Sequence, residues 1–156
     1  MTLQNLPIGI QNFEKIRNDG YLYVDKTEIV YRLATSGSYY FLSRPRRFGK
    51  SLLLSTLQAY FEGKRELFDG LAISRLETKW ERYPILHLDL NTRNYKDAEA
   101  LTGILNEYLE KWEVIYGDAK KDRVLEERFT YVIEQAYAKT GHRVVILVDE
   151  YDKPML

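Results

Sequence analysis

The chain of 156 residues contains no cysteine, which removes disulfide staples, thiolate metal sites and a cysteine nucleophile. That absence suits a reducing interior, so the cytoplasm is the expected location. Proline is scarce, and it does not gather with glycine and serine into a linker, so no internal boundary is expected. No run of about 18 apolar residues occurs, and the opening MTLQNLPIGIQNFEKIRNDG lacks the apolar core of a signal peptide, so no membrane span is expected. An excess of one charge is also missing. Basic and acidic residues number 23 each, so no global field draws the chain to nucleic acid or anionic lipid. The two histidines, His87 and His142, have no partner at zinc-ligand spacing. What the chain does have is 45% hydrophobic residues, enough for the core of an ordinary domain.

Those hydrophobic residues are spaced as alternating strands and helices. Asn12 precedes an amphipathic helix over Phe13 to Asn18, stopped by Gly20, and YLYV at 21–24 has the composition of a short strand. A second helix, capped by Asp25 or Thr27, carries Ile29, Val30, Leu33 and Ala34 and ends before Gly37. SYYFLS, 38–43, reads as the next strand. Leu53, Leu54, Leu57, Tyr60 and Phe61 give the three-and-four spacing of a helix over Ser51 to Glu62. PILHLDLN at 84–91 is a strand, two helices separated by Gly117 follow, and VVILV within Arg143 to Val148 is a strand of the kind covered on both faces of a parallel sheet. The order predicts an α/β fold with right-handed crossovers, a three-layer α/β/α sandwich around a mostly parallel sheet.

The first chemical signal lies where SYYFLS meets the helix, in Ser43-Arg44-Pro45-Arg46-Arg47-Phe48-Gly49-Lys50-Ser51. A basic loop leading into a helix N-terminus converges unpaired backbone N–H groups and the positive end of the helix dipole on one point, as an anion requires. Lys50 is placed to reach the β- and γ-phosphates of a nucleotide, and the Ser51 hydroxyl to ligate Mg²⁺. The GxxxxGK[ST] pattern is incomplete because Arg44 occupies its first glycine position. A purely structural alternative exists: Gly49 as a helix-start turn, Lys50 as a solvated lysine and Ser51 as an N-cap.

The second signal is Val144-Val145-Ile146-Leu147-Val148-Asp149-Glu150, an apolar strand delivering two carboxylates at its C-terminal end, where α/β sheets place ligands. It has the form of a Walker B element. Asp149 would hold Mg²⁺ or its water shell, and Glu150 would polarise the attacking water as general base. Acidic residues after a buried strand also serve as plain turn residues. The two motifs occur in the order and at the separation expected of one nucleotide site, and together they favour nucleotide binding.

At this point the chain resembles the AAA-ATPase-like domain of bacterial predicted ATP-binding proteins. The resemblance is carried by LPIGIQNFEKIR (6–17), GYLYVDKT (20–27), YYFLSRPRRFGKSLLLSTLQAYFEGKRELFDGL (39–71), YPILHLDL (83–90) and VVILVDEYDKPM (144–155). It implies an ASCE/AAA-like P-loop ATPase, with ATP and Mg²⁺ as cofactors, and with arginine as the family's own residue where Arg44 stands. It further implies nucleotide contacts by Arg46, Arg47, Phe48, Gly49, Lys50, Ser51 and Leu52. Metal binding by Ser51 and Asp149, and catalysis by Lys50 and Glu150, follow from the same resemblance. Residues 1–37 would form an N-terminal extension and 38–156 the core from Walker A to Walker B. The strand with a sensor residue, the helical lid and the arginine finger would lie outside, so the sheet is expected to be incomplete at its C-terminus and the chain to be the N-terminal portion of a longer protein. A restriction-endonuclease-like domain of the same protein and a homo-oligomer are the partners implied.

Lesser features carry alternatives. Arg44, Arg46, Arg47 and Lys50 form a basic cluster suited either to nucleotide phosphates or to nucleic-acid backbone. Asp152 and Lys153 either fix the turn after the last strand or touch the phosphate loop. Tyr21, Tyr23, Tyr39 and Tyr40 either cover an adenine or pack in core and edge. Asp89, on the same strand face as His87, either approaches the nucleotide or ends its strand. The rivals to an ATPase are a nucleotide-gated switch or scaffold with little hydrolysis, and a nucleic-acid-binding module of a nuclease-linked system.

Overall fold

The computed structural model describes residues 3–45, 47–92, 95 and 98–155. The chain divides into two compact units, one running to Arg82 and one from Tyr83 onward, and is mixed α/β in character.

The first unit holds helices α1 (Phe13–Asn18), α2 (Thr27–Ser36) and α3 (Lys50–Phe61), with short 3-10 turns at Arg65–Phe68 and Ala72–Arg75. Helix α1 starts as its sequence requires: Asn12 Oδ1 accepts the Lys15 N–H at 2.9 Å, a side-chain N-cap. Phe13 is fully buried and stacks obliquely on Phe68, with ring centroids 4.8 Å apart, and Phe68 meets Trp80 at 5.1 Å. Val30, Ala59, Tyr60, Leu71 and Ile73 complete this core. Ser55 fastens α1 to α3, its Oγ accepting the Phe13 N–H at 3.0 Å and its hydroxyl donating to the Leu52 carbonyl at 2.9 Å.

Neither of the two residues expected to cap α2 is its N-cap: that position falls to Lys26, which makes no side-chain cap bond, while Thr27 is already the first helical residue. Asp25, one residue before the cap, still ties down the helix start and reaches further. Its Oδ1 accepts the N–H and hydroxyl of Thr27 at 2.9 and 2.6 Å, and its Oδ2 accepts the Ala72 N–H at 2.7 Å. Thr27, fully buried, accepts the Ile73 N–H at 3.1 Å. Partial burial pushes the Asp25 carboxyl up, but the bonds from Thr27 and Ala72 outweigh it and hold the group below its ordinary value.

The strands expected at 21–24 and 38–43 are absent: both segments are irregular. Their aromatic composition reports a preference for packing on a pleated surface, and a strand exists only where a neighbour supplies the ladder. Tyr21 N–H and Leu22 N–H instead bond the carbonyls of Ile16 and Asn5, while Tyr39 stands 96% exposed.

The second unit runs β1 (Ile85–Asp89), α4 (Ala98–Tyr116), α5 (Leu125–Thr140) and β2 (Val145–Asp149), with short 3-10 turns at Leu90–Thr92 and Lys153–Met155. The strands pair in parallel, in a register that sets Leu86 beside Ile146, Leu88 beside Val148 and Asp89 beside Asp149. Leu86 and Leu88 pack with Leu109, Trp112 and Val132 of the two helices. The described sheet thus has two strands. The continuous apolar run of β2 is not covered on both faces either: Leu147 is buried, whereas Ile146 and Val148 are 43% and 38% exposed.

Between α4 and α5 lies a buried ion pair. Arg128 Nε and Nη2 donate to Glu113 Oε1 and Oε2, each at 2.8 Å, with the two side chains only 7% and 6% exposed. The Arg128 Nη1 also donates to Asn106 Oδ1. The Glu113 hydrogen bonds raise the guanidinium further above its already high value, so Arg128 stays charged.

Candidate nucleotide-binding site

The GKS segment forms a sharp loop-to-helix junction. Gly49 is the N-cap of α3 with φ +77° and ψ +19°, and its carbonyl accepts the Leu53 N–H at 2.9 Å. A Cβ on Gly49 would meet no atom within 4 Å, so the backbone conformation and not crowding favours glycine there. Arg47 has φ +65°, unusual for a side-chain-bearing residue. The helix that follows has no acidic residue in its first turn, so no internal countercharge opposes an anion at its N-terminal N–H groups.

Lys50 and Ser51 are partly buried in that first turn, and Arg44, Arg47 and Phe48 are exposed on the loop before it. Arg46 lies outside the described residues. Leu52 turns its side chain to the Phe13–Phe68 core, which leaves its backbone amide as the group it can offer a ligand. Tyr23 packs edge-on against Phe13 at 5.0 Å, and burial pushes its phenol up, so it serves the core.

In the second unit, β2 delivers Asp149 and Glu150 as its sequence predicts. Glu150 adopts φ +53°, and its N–H donates to Asp149 Oδ1 at 2.9 Å. A left-handed glutamate directly after a strand is strained, a feature concentrated at functional turns. The Lys153 N–H closes the turn on the Glu150 carbonyl at 3.0 Å. Asp152 Oδ1 is shielded from solvent and finds no hydrogen-bond partner among the described residues.

The position of Asp89, ambiguous in the sequence, is resolved by register. It is the last residue of β1 and the direct neighbour of Asp149. Its Oδ1 accepts the Asn91 N–H at 2.9 Å, and its backbone is gripped by Tyr108 of α4, whose Oη accepts the Asp89 N–H at 3.1 Å and donates to the Asp89 carbonyl at 3.3 Å. The Tyr108 clamp escaped sequence reasoning, because helical spacing does not show which backbone groups a hydroxyl will reach nineteen residues away. Among the described residues no three His, Cys, Asp or Glu side chains gather as a metal cage. Mg²⁺ does not require one, since it keeps several waters and takes one or two carboxylates plus substrate phosphates. The hydroxyl of Ser51 in the first unit and the carboxylate of Asp149 in the second are each hard oxygen donors of the kind that ion takes.

A phosphate-type helix start, and a parallel strand ending in paired carboxylates, define a class of α/β nucleotide-binding proteins. Residues 7–156 match the family described as "Predicted AAA-ATPase", and the chain belongs to that family. It is also 47% identical over 160 residues to a protein of Azotobacter chroococcum mcd 1, described as an uncharacterized protein in the vnfD 5′ region. That similarity takes in the whole of this chain but 30% of the relative's length. No solved structure matches the chain. Among the described residues no helix is long and apolar enough to cross a membrane.

Proposed function

We propose that the chain is the ATP-binding part of a cytoplasmic, Mg²⁺-dependent P-loop ATPase. In the whole protein, β1 and β2 belong to a larger, mostly parallel sheet in a three-layer α/β/α sandwich, with residues 38–156 as its Walker A to Walker B core and 1–37 as an extension. The observation that carries this reading is the start of α3: a left-handed Gly49 followed at once by Lys50 and Ser51 in the first turn. Membership of the predicted AAA-ATPase family supports the same chemistry.

In this reading the amides from Arg46 to Leu52 hold the phosphates, and Lys50 neutralises the charge that develops on the transferring group. Ser51 and Asp149 are the protein's ligands for Mg²⁺, which supplies charge neutralisation on the phosphate oxygens when bound. Glu150 orients the attacking water and accepts its proton. An arginine finger comes from a second copy or from another domain of the same protein.

Titration of the full-length protein with a fluorescent ATP analogue in Mg²⁺ tests the reading. Saturable binding is expected, and Lys50→Ala should abolish it. Glu150→Gln should keep binding and slow hydrolysis by about 100-fold or more. Undiminished binding by Lys50→Ala would reject the site.

A further inference from the structure

Two aspartates end the two parallel strands side by side, and only one of them belongs to the recognised motif. Asp89 and Asp149 are register partners at the last ladder position, so their side chains leave the sheet on the same face. Like charges directly opposite one another destabilise a strand pair. Nothing in the apolar pattern of β1 requires a carboxylate there; any short polar residue could end the strand.

Each aspartate has one oxygen committed to its own turn, Asp89 Oδ1 to the Asn91 N–H and Asp149 Oδ1 to the Glu150 N–H. Asp89 is further fixed from behind by the Tyr108 hydroxyl, which binds both its N–H and its carbonyl. A separate observation points to something held at this end of the sheet. The turn after β2 packs against the turn after β1, and it brings with it Asp152, whose solvent-shielded Oδ1 has no hydrogen-bond partner among the described residues. A buried carboxylate oxygen calls for a water, an ion or a donor.

We propose that Asp89 is a second carboxylate for the divalent cation, holding its water shell beside Asp149. The inference rests on the ATPase reading above and deepens it. Mg²⁺ sheds its waters reluctantly, so a neighbouring carboxylate that accepts hydrogen bonds from those waters tightens binding without entering the coordination sphere. The repulsion between the two strand ends is relieved when the cation is present, which couples metal binding to the stability of this sheet end.

Two substitutions separate this role from a structural one. Asp89→Asn keeps an Oδ1 to accept the Asn91 N–H and removes only the charge, whereas Asp89→Ala removes both. In the full-length protein, the Mg²⁺ concentration giving half-maximal binding of the fluorescent ATP analogue should rise about tenfold in Asp89→Asn. Its melting temperature without metal should equal or exceed that of the wild type, and the rise in melting temperature that Mn²⁺ alone gives the wild type should shrink. Asp89→Ala should lower the metal-free melting temperature as well. A wild-type Mg²⁺ midpoint in Asp89→Asn, with binding still lost in Lys50→Ala, overturns the role of Asp89 and leaves the ATPase reading standing. Failure of the wild type to bind the analogue overturns both.

Discussion

Two glycines of the first unit show how differently one conformation can be enforced. Gly49 and Gly63 both have φ near +70°, but a Cβ on Gly49 meets nothing, while one on Gly63 would lie 3.0 Å from the Trp80 carbonyl oxygen. Gly49→Ala should therefore cost only the left-handed strain, about 1–2 kcal/mol. Gly63→Ala adds a backbone clash and should cost more; urea denaturation of the two variants checks the order. Asp25 acts by its charge. Because its carboxyl is held below the ordinary value of 3.8 by Thr27 and Ala72, its contribution to stability is present in full above that value and disappears as pH falls through the depressed one. Glu62 and Glu77 are also depressed. At Glu62 burial is outweighed by the bonds from Lys64 and Gln58, and at Glu77 by those from Tyr60 and the Lys79 and Thr78 amides. The denaturation midpoint of the wild type should thus drop below about pH 4, and Asp25→Asn should lower it at neutral pH while flattening the drop.

At the scale of elements, the helices are what the sequence makes legible. Asn12, the apolar spacing of 53–61 and the break at Gly117 each mark a boundary that the chain observes, because capping and helical period are local physics. Strands depend on distant partners. SYYFLS has the residues of a strand and takes an irregular course, with no ladder among the described residues, whereas the shorter β1 and β2 have one another. The candidate site divides the same way: the GKS and VDE segments announce themselves by spacing, but the placement of Asp89 beside Asp149 needed register, which no single segment encodes. The α4–α5 ion pair was equally invisible, since no local spacing ties Glu113 to Arg128, fifteen residues on and in another helix. Glu113→Ala would leave the Arg128 guanidinium buried with its main partner gone, and a loss of about 3–5 kcal/mol is expected. Replacing both residues with apolar ones of similar volume should cost far less, a comparison that chemical denaturation of the single and double variants makes directly.

For the whole molecule, the balance of 23 acidic and 23 basic residues means that solubility cannot lean on net repulsion between copies. Surface character then decides how the chain behaves in solution, and β2 is the place where this matters. Its Ile146 and Val148 share a face with their register partners Leu86 and Leu88, yet they stay partly exposed where those two are buried, on a strand with one described partner, β1. An apolar strand with one edge unpaired among the described residues, and little charge to guard it, is a template for strand addition. Ile146→Lys should suppress concentration-dependent light scattering by this chain at near-neutral pH, where its net charge is close to zero. The strand that carries Asp149 to the end of the sheet is, by the same apolar character, the segment through which copies of the chain would aggregate.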